Sequence, residues 1–354
     1  MKPDISVIMS VYNGEEYLRE AVESVINQTY KNWELIIIND CSTDFTPEIL
    51  SDLASKDDRI KVYTNEVNLK LPSSLNKAIS LCSGKYIARM DADDICLPER
   101  LEKQYKFMEE NSDVSLSSCR FMTVKKGVYA SGGAGGRCDS NALKAMLLVS
   151  NPILHPGVFA RQEVMKELGY DTTLTCTEDL ELWTRMAANN YKLRILPECL
   201  MIYRLHDKQI TSTTLERQHT EVLKIQNKYY SSLLKEMDEE MQKFYISGIY
   251  FKENADINKF IEYSKWLKKA TAKNFCRCAV NYALFEILAE YKRCGVSKKD
   301  VVKAMLTFCP LFTVKEIIRR KSAAKKDIAK SLKVAKRLGL RQTAGNKEFP
   351  IFEK

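Results

Sequence analysis

No run of apolar residues in this chain approaches the length needed to span a bilayer, which excludes an ordinary transmembrane helix. No positively charged leader followed by an apolar segment opens the chain either, because Ile5-Ser6-Val7-Ile8-Met9-Ser10-Val11 is short and reads as a strand. The 11 cysteines are odd in number and form no metal-type CxxC pair, so they read as reduced thiols of a cytoplasmic protein. Gly132-Gly133-Ala134-Gly135-Gly136 has neither the GK ending of a phosphate loop nor the spacing of GxGxxG, and reads as a flexible loop.

What is present is organised unevenly. The net charge is +9, and the segment from Lys315 to Arg341 alone holds eleven Lys or Arg against Glu316 and Asp327, a local net of +9. The remainder therefore balances to zero, and the basic character belongs to one C-terminal segment. At 354 residues the chain exceeds one ordinary domain. Its first part alternates short apolar runs at 5–11, 33–39, 60–64, 85–91 and 114–119 with amphipathic stretches at 15–28, 44–56, 71–82 and 98–111. That alternation is the signature of an α/β, mostly parallel sheet covered by helices. Ligands of such sheets bind at the carboxyl ends of strands, and Asn13, Asp40 and Asp91 to Asp94 all follow expected strands. Helical patterns dominate beyond Leu215, so a boundary is placed near Ser212 to Leu215.

Tyr86-Ile87-Ala88-Arg89-Met90-Asp91-Ala92-Asp93-Asp94 runs an expected buried strand into three carboxylates. Charge of one sign gathered at a sheet edge calls for a cation. A spacing of two puts Asp91 and Asp93 on the same side of an extended backbone, within reach of one divalent ion or of a nucleotide. The alternative is a solvated turn. An EF-hand is excluded, since Ile95 and Cys96 stand where an oxygen ligand and a glycine are required.

Together with Val7 to Asn13, Ile36 to Asp44, Asn76-Lys77-Ala78-Ile79, Pro98-Glu99-Arg100-Leu101 and Thr177-Glu178-Asp179, this stretch resembles glycosyltransferase family 2, the inverting enzymes of GT-A fold. The resemblance covers roughly residues 4 to 210 and rests on several motifs in the family's order. It implies a Rossmann-like nucleotide-diphospho-sugar transferase domain at 1–213; the helical periodicity and the basic run beyond it read as a helical C-terminal region at 214–312 and a basic helical tail at 313–354. The resemblance also implies a role for each matched residue. Asp40 would accept the imide N–H of uracil, and the Tyr12 ring would pack on the base; the structural alternatives are a turn residue and a half-buried strand-end aromatic. Asp91 and Asp93 match the family's DxD, with Asp93 coordinating the metal and Asp91 contacting ribose or metal, and Arg89 joins the nucleotide-sugar set. Asp94 would cap the helix before Pro98.

Met201-Ile202-Tyr203-Arg204-Leu205-His206 resembles the segment whose histidine completes the metal sphere, although a structural role for His206 stays open. Two carboxylates and an imidazole suit Mn²⁺ or Mg²⁺, with the imidazole favouring manganese. Asp179 matches the catalytic base, at the start of a helix with Thr177 as cap; the alternative is acid placement favoured by the helix dipole. Gly169 matches a glycine loop where backbone approaches substrate closely, and His155, in Asn151-Pro152-Ile153-Leu154-His155-Pro156-Gly157, matches a segment near the acceptor side, with its role left open.

Three departures stand out: Ser10 for a frequent proline, Asn39 for the first of two aspartates, and Lys70 for glycine in an Asn-x-Gly-Leu pattern. Lys70 could approach donor phosphates or be a solvated lysine at a helix start. In the C-terminal third, apolar residues 301–312 precede a candidate basic helix at 314–338, a pair suited to an anionic membrane surface or to a core helix followed by a solvated one. Nucleic acid is not indicated, since no recognisable module or interleaved aromatic accompanies the basic run.

The expectation is an enzyme that moves a sugar from a UDP-sugar to a hydroxyl of a saccharide or polyprenyl-linked saccharide acceptor. It would work at the inner face of the plasma membrane, in cell-surface polysaccharide biosynthesis. A sugar nucleotidyltransferase is the enzymic alternative, weakened by the acidic Gly14-Glu15-Glu16 after the first strand, and a non-catalytic scaffold of the same fold is the other.

Overall fold

Alternation with period two decides which way each central strand faces. In β1 (Ile5–Val11) and β2 (Trp33–Asn39), Ile8, Ile36 and Ile38 point into one apolar cluster, while Val7, Met9, Leu35 and Ile37 point into another on the opposite face. Both faces are therefore buried, as continuous apolar strands of a helix-covered parallel sheet require. The computed structural model describes residues 2–132, 139–206, 215–234, 238–250, 255–272, 275–308, 336, 341–346 and 349–353.

The second face is covered by α1 (Leu18–Ile26), α2 (Thr46–Lys56) and α4 (Arg100–Glu110). The first is covered by α3 (Lys70–Leu81), α6 (Gln162–Leu168) and α7 (Glu178–Ala188). β1 lies between β2 and β4 (Tyr86–Asp91), parallel to both, and β3 (Ile60–Thr64) extends the parallel half. Beyond β4 the sheet becomes mixed. β8 (Phe159–Arg161) is antiparallel to β4 and β6 (Val114–Lys125), and β9 (Lys192–Arg204) runs parallel to β6 and antiparallel to the short β5 (Ile95–Cys96). Register places Ser10 opposite Asp91 and Val11 opposite Asn39, so Tyr12, Asp40 and Asp91 share one rim.

The expected elements recur with shifted ends. Residues 15–17 do not join α1, because the loop after β1 is tied to the loop after β2: Thr43 N donates to Asn13 Oδ1 at 2.9 Å, Gly14 N to Thr46 Oγ1 at 2.9 Å and Glu15 N to Asp44 at 3.1 Å. The strand expected at 114–119 continues to Lys125, where β9 and β7 (Val128–Gly132) supply partners. α5 (Ser140–Met146) follows. Most of the glycine run, residues 133–136, falls outside the described residues.

The C-terminal region is helical, with α8 (Leu215–Leu234), α9 (Glu239–Phe244), a π-helical turn at Tyr245–Tyr250, α10 (Ile257–Ala270), α11 (Arg277–Arg293) and α12 (Lys298–Phe308). One apolar cluster holds Ile8, Leu147 and Trp183 together with Val222, Tyr245, Phe260, Leu284 and Ala304, so the core crosses the boundary placed at 213. Val301, Ala304 and Met305 are buried in it, which uses the apolar face of α12 inside the protein. The candidate basic helix at 314–338 lies outside the described residues except at 336. The last described residues depart from the helical expectation: β10 (Arg341–Asn346) and β11 (Phe349–Glu353) pair antiparallel, and β11 adds to β7. Among the described residues no helix is long and apolar enough to cross a membrane.

Candidate active site

At the β1–β2 rim, Tyr12 is 53% exposed whereas Asp40 is 2% exposed. Asp40 Oδ1 accepts from Asn65 Nδ2 at 2.7 Å and from the Leu69 backbone N–H at 2.8 Å. These bonds fix the carboxylate to the start of α3. Lys70 follows with φ +69°, a left-handed conformation that explains why glycine suits this position. Its side chain is exposed and makes no ion pair with a described residue.

At the end of β4, Arg89 is buried and its Nη1 donates to Asp91 Oδ2 at 2.5 Å. His206 Nε2 lies 2.8 Å from Asp93 Oδ2. Asp94 does not cap a helix: α4 starts with Glu99 at its N-cap, and Asp94 Oδ1 instead accepts from the Arg204 backbone N–H at 2.9 Å. Arg204 Nε also donates to the Asp93 carbonyl at 2.8 Å, so the end of β9 holds the whole acidic turn. Burial raises the Asp91 carboxyl despite Arg89, and burial followed by the charges of Asp91 and Asp93 raises Asp94 well above the carboxylate range.

One ligand atom from each of Asp91, Asp93 and Asp94 lies within 4.8 Å of the others, and Asp94 Oδ2 is buried without a hydrogen-bond partner. This all-oxygen set, with an imidazole beside it, fits a hard or borderline divalent cation. Asp94 thus belongs with the group that sequence reasoning limited to Asp91, Asp93 and His206.

A second acidic pair stands at the start of α7. Asp179 Oδ2 accepts from Asn151 Nδ2 at 2.7 Å, and Oδ1 from the Leu180 N–H at 2.6 Å. Burial raises the Asp179 carboxyl, while these two bonds and Arg89 oppose the rise. Glu178 is pushed up to about 8 by burial and then by Asp179. Asp91 is raised in part by Asp179, and Glu178 in part by Asp91, so the two acidic groups form one electrostatic unit.

Thr177 occupies the N-cap position without capping; its hydroxyl donates to Glu221 on α8 at 2.7 Å. Gly169 has φ +57° at the end of α6, and a Cβ there would meet Asn76 Oδ1 at 3.3 Å, so the close approach is to that side chain. Asn76 in turn holds both backbone groups of Tyr170, at 2.8 and 2.9 Å. His155 Nε2 is 2.8 Å from the Tyr170 hydroxyl and its Nδ1 is 3.9 Å from Glu178, so it sits behind the acidic pair; burial pushes its pKa well below the usual value.

The structure therefore joins Arg89 to Asp91 and Asp93 to His206, couples Asp179 electrostatically to Arg89 and Asp91, and sets Lys70 next to the Leu69 N–H that holds Asp40. Sequence reasoning missed Asn151, Arg204 and Glu221. The first two lie inside motif segments already singled out, whereas no local signal marks Glu221.

A sheet that switches from parallel to mixed beside an acidic turn, with a second carboxylate across the rim, defines a GT-A-like fold. The chain belongs to glycosyltransferase family 2, whose model, "Glycosyl transferase family 2", matches residues 6–169. It is similar to an uncharacterized glycosyltransferase of Methanocaldococcus jannaschii, 34% identical over 253 residues that cover 71% of this chain and 84% of that one. The O-antigen biosynthesis glycosyltransferase WbnJ of Escherichia coli is 34% identical over 221 residues, covering 60% and 83%. Among solved structures, S. aureus TarS 1-349 in complex with UDP-GlcNAc aligns over 100% of this chain and 99% of that one, with TM-score 0.54 and 18% identity, a likeness of fold. Family membership makes this protein a glycosyltransferase.

Proposed function

We propose that the protein is an inverting transferase that moves a hexosyl or N-acetylhexosaminyl group from a UDP-sugar to a hydroxyl of a saccharide acceptor. The observation that carries this reading is the Asp179 carboxylate, held by Asn151 beside the Asp91–Asp93 turn and kept more basic than an ordinary aspartate by burial. A general base must take the acceptor proton as the hydroxyl attacks the anomeric carbon opposite the leaving nucleotide. A carboxylate across the rim from the nucleotide turn suits that task.

Each remaining residue takes a part consistent with its surroundings. The exposed Tyr12 ring packs on uracil, and the second oxygen of Asp40 accepts its imide N–H, the first being occupied by Asn65 and Leu69. Arg89 orients Asp91 from behind. Asp93, Asp91, Asp94 and His206 are the residues that would hold Mn²⁺ or Mg²⁺. When bound, such an ion would supply charge neutralisation for the leaving diphosphate. Lys70 is assigned to the donor phosphates, and Gly169 keeps the loop before the base close to Asn76.

The names of two relatives support a class of acceptor. WbnJ is named for O-antigen biosynthesis and another relative, of Bacillus subtilis, for teichuronic acid biosynthesis, which supports a cell-surface polysaccharide product. A polyprenyl-linked acceptor at the cytoplasmic face would place the basic segment 313–341 against anionic lipid. The loop after β1 supports sugar transfer over nucleotidyl transfer, since Glu15 accepts from the Phe45 N–H where a phosphate-binding loop would be basic.

A screen of nucleotide sugars for UDP release, with and without Mn²⁺, tests the reading. Release of UDP, with a β-configured product from an α-linked donor, is expected. Release of pyrophosphate from a nucleoside triphosphate and a sugar phosphate would overturn it.

A further inference from the structure

We infer that Glu221, on α8 of the C-terminal helical region, is a positioning residue for the transfer step that sets the Asp179 carboxylate against the donor site. The inference rests on the reading of Asp179 as the general base.

Glu221 is buried, and its carboxylate is filled by the segment that leads into the base. Oε1 accepts from Thr175 N and Thr175 Oγ1, both at 3.3 Å; Oε2 accepts from Thr177 Oγ1 at 2.7 Å and from Cys176 Sγ at 3.2 Å. Three consecutive residues thus hang on one side chain, and the next two are Glu178 and Asp179. A hydroxyl at an N-cap position ordinarily turns inward to the first turn of its own helix. Thr177 turns outward to α8 instead, so the start of α7 is registered to the C-terminal region.

The same region grips the segment that carries the base's partner. Gln226 Nε2 donates to the Leu147 carbonyl at 3.1 Å, and the Tyr245 hydroxyl donates to the Leu148 carbonyl at 2.6 Å. Asn151, three residues further on, donates to Asp179. Both halves of the Asn151–Asp179 pair are therefore held from α8 and from the π-helical turn. The far end of the base loop is fixed independently by Asn76 at Tyr170. Because attack needs the base within hydrogen-bond reach of the acceptor hydroxyl, a shift of about 1 Å in this loop is enough to lower the rate roughly 100-fold.

The test uses the full-length chain with Glu221→Ala, Glu221→Gln, Thr177→Val and the Glu221→Ala/Thr177→Val double variant. The reaction is UDP release from the nucleotide sugar that the screen shows to be fastest, with water as acceptor, and UDP affinity is measured by calorimetry. Expected is a fall in kcat of roughly 10–100-fold in Glu221→Ala with donor KM and UDP affinity within about two-fold of wild type. Glu221→Gln, which keeps one acceptor oxygen, falls less, and the double variant falls no further than Glu221→Ala alone, as for two residues acting through one contact.

Wild-type kcat in Glu221→Ala, alongside an inactive Asp179→Asn, overturns the positioning role and leaves the base in place. Full activity in Asp179→Asn overturns the base assignment and this inference with it. Loss of UDP affinity in parallel with kcat in both Glu221 variants assigns the residue to general folding and also overturns the inference.

Discussion

Asn151 and Asp179, 28 residues apart in sequence, are joined by a 2.7 Å hydrogen bond from the amide nitrogen to the carboxylate. The bond stabilises the ionised form of a carboxyl that burial otherwise favours as the neutral acid. Replacing Asn151 by Ala removes that stabilisation, so the Asp179 pKa rises further and a smaller fraction is ionised at a given pH. The acid limb of the kcat–pH profile therefore moves to higher pH in Asn151→Ala. Asp179→Asn, which cannot take a proton, loses about 100-fold or more of kcat at every pH while keeping UDP affinity. Steady-state kinetics across pH and UDP calorimetry check both statements.

The acidic turn makes a separate prediction about the cation. Asp93→Ala removes one of three clustered carboxylates and the partner of His206, so the enhancement of UDP binding by Mn²⁺ is lost. Titration of UDP with and without Mn²⁺ gives two curves for the wild type and one for the variant. A retained Mn²⁺ effect removes Asp93 from the ligand set.

Glu178 makes stability depend on pH. Its pKa rises from 4.5 to about 8 on folding, so between these values the folded state holds a proton that the unfolded state has lost. Stability therefore falls as pH rises through that window, and the whole cost is present above it. Glu178→Gln cannot ionise, so its melting temperature relative to wild type climbs from about pH 5 to about pH 8 and then levels off. Melting curves in a pH series decide the matter; a constant offset sinks it.

Lys70 stands in a left-handed conformation next to Leu69, whose N–H binds Asp40. Such a conformation costs a non-glycine residue about 1–2 kcal/mol, part of which glycine returns as chain entropy. Lys70→Gly is thus expected to raise unfolding stability by about 0.5–1 kcal/mol in urea titrations. With Lys70 assigned to the donor phosphates, the same substitution is expected to raise the donor KM. An unchanged KM would leave Lys70 as a solvated lysine.

The residues legible in sequence were those whose roles are set within a few positions of themselves. Short, nearly continuous apolar runs at Ile5–Val11 and Trp33–Asn39 identified central strands, because a strand covered by helices on both faces is apolar on both. The strand ends then put Tyr12, Asp40 and Asp91 on one rim, where the register places them. Local reasoning failed where a side chain had two short-range options and took a long-range one. Asp94 was expected to cap a helix and binds Arg204, 110 residues away; Thr177 was expected to cap α7 and binds Glu221, 44 residues away.

The sequence by itself therefore determined where the first strands and helices lie, the family and the acids to which the chemistry is assigned, since these follow from apolar runs and from motifs read in order; the lateral order of the strands came from the structure. Only the tertiary structure decided how those acids are held. Asp179 gained Asn151, its loop gained Glu221, and the boundary at 213 became an internal seam of one apolar core. The reason is physical: a hydrogen bond between distant residues depends on how whole elements pack, and packing brings α8 beneath the base loop without leaving any local mark in either segment.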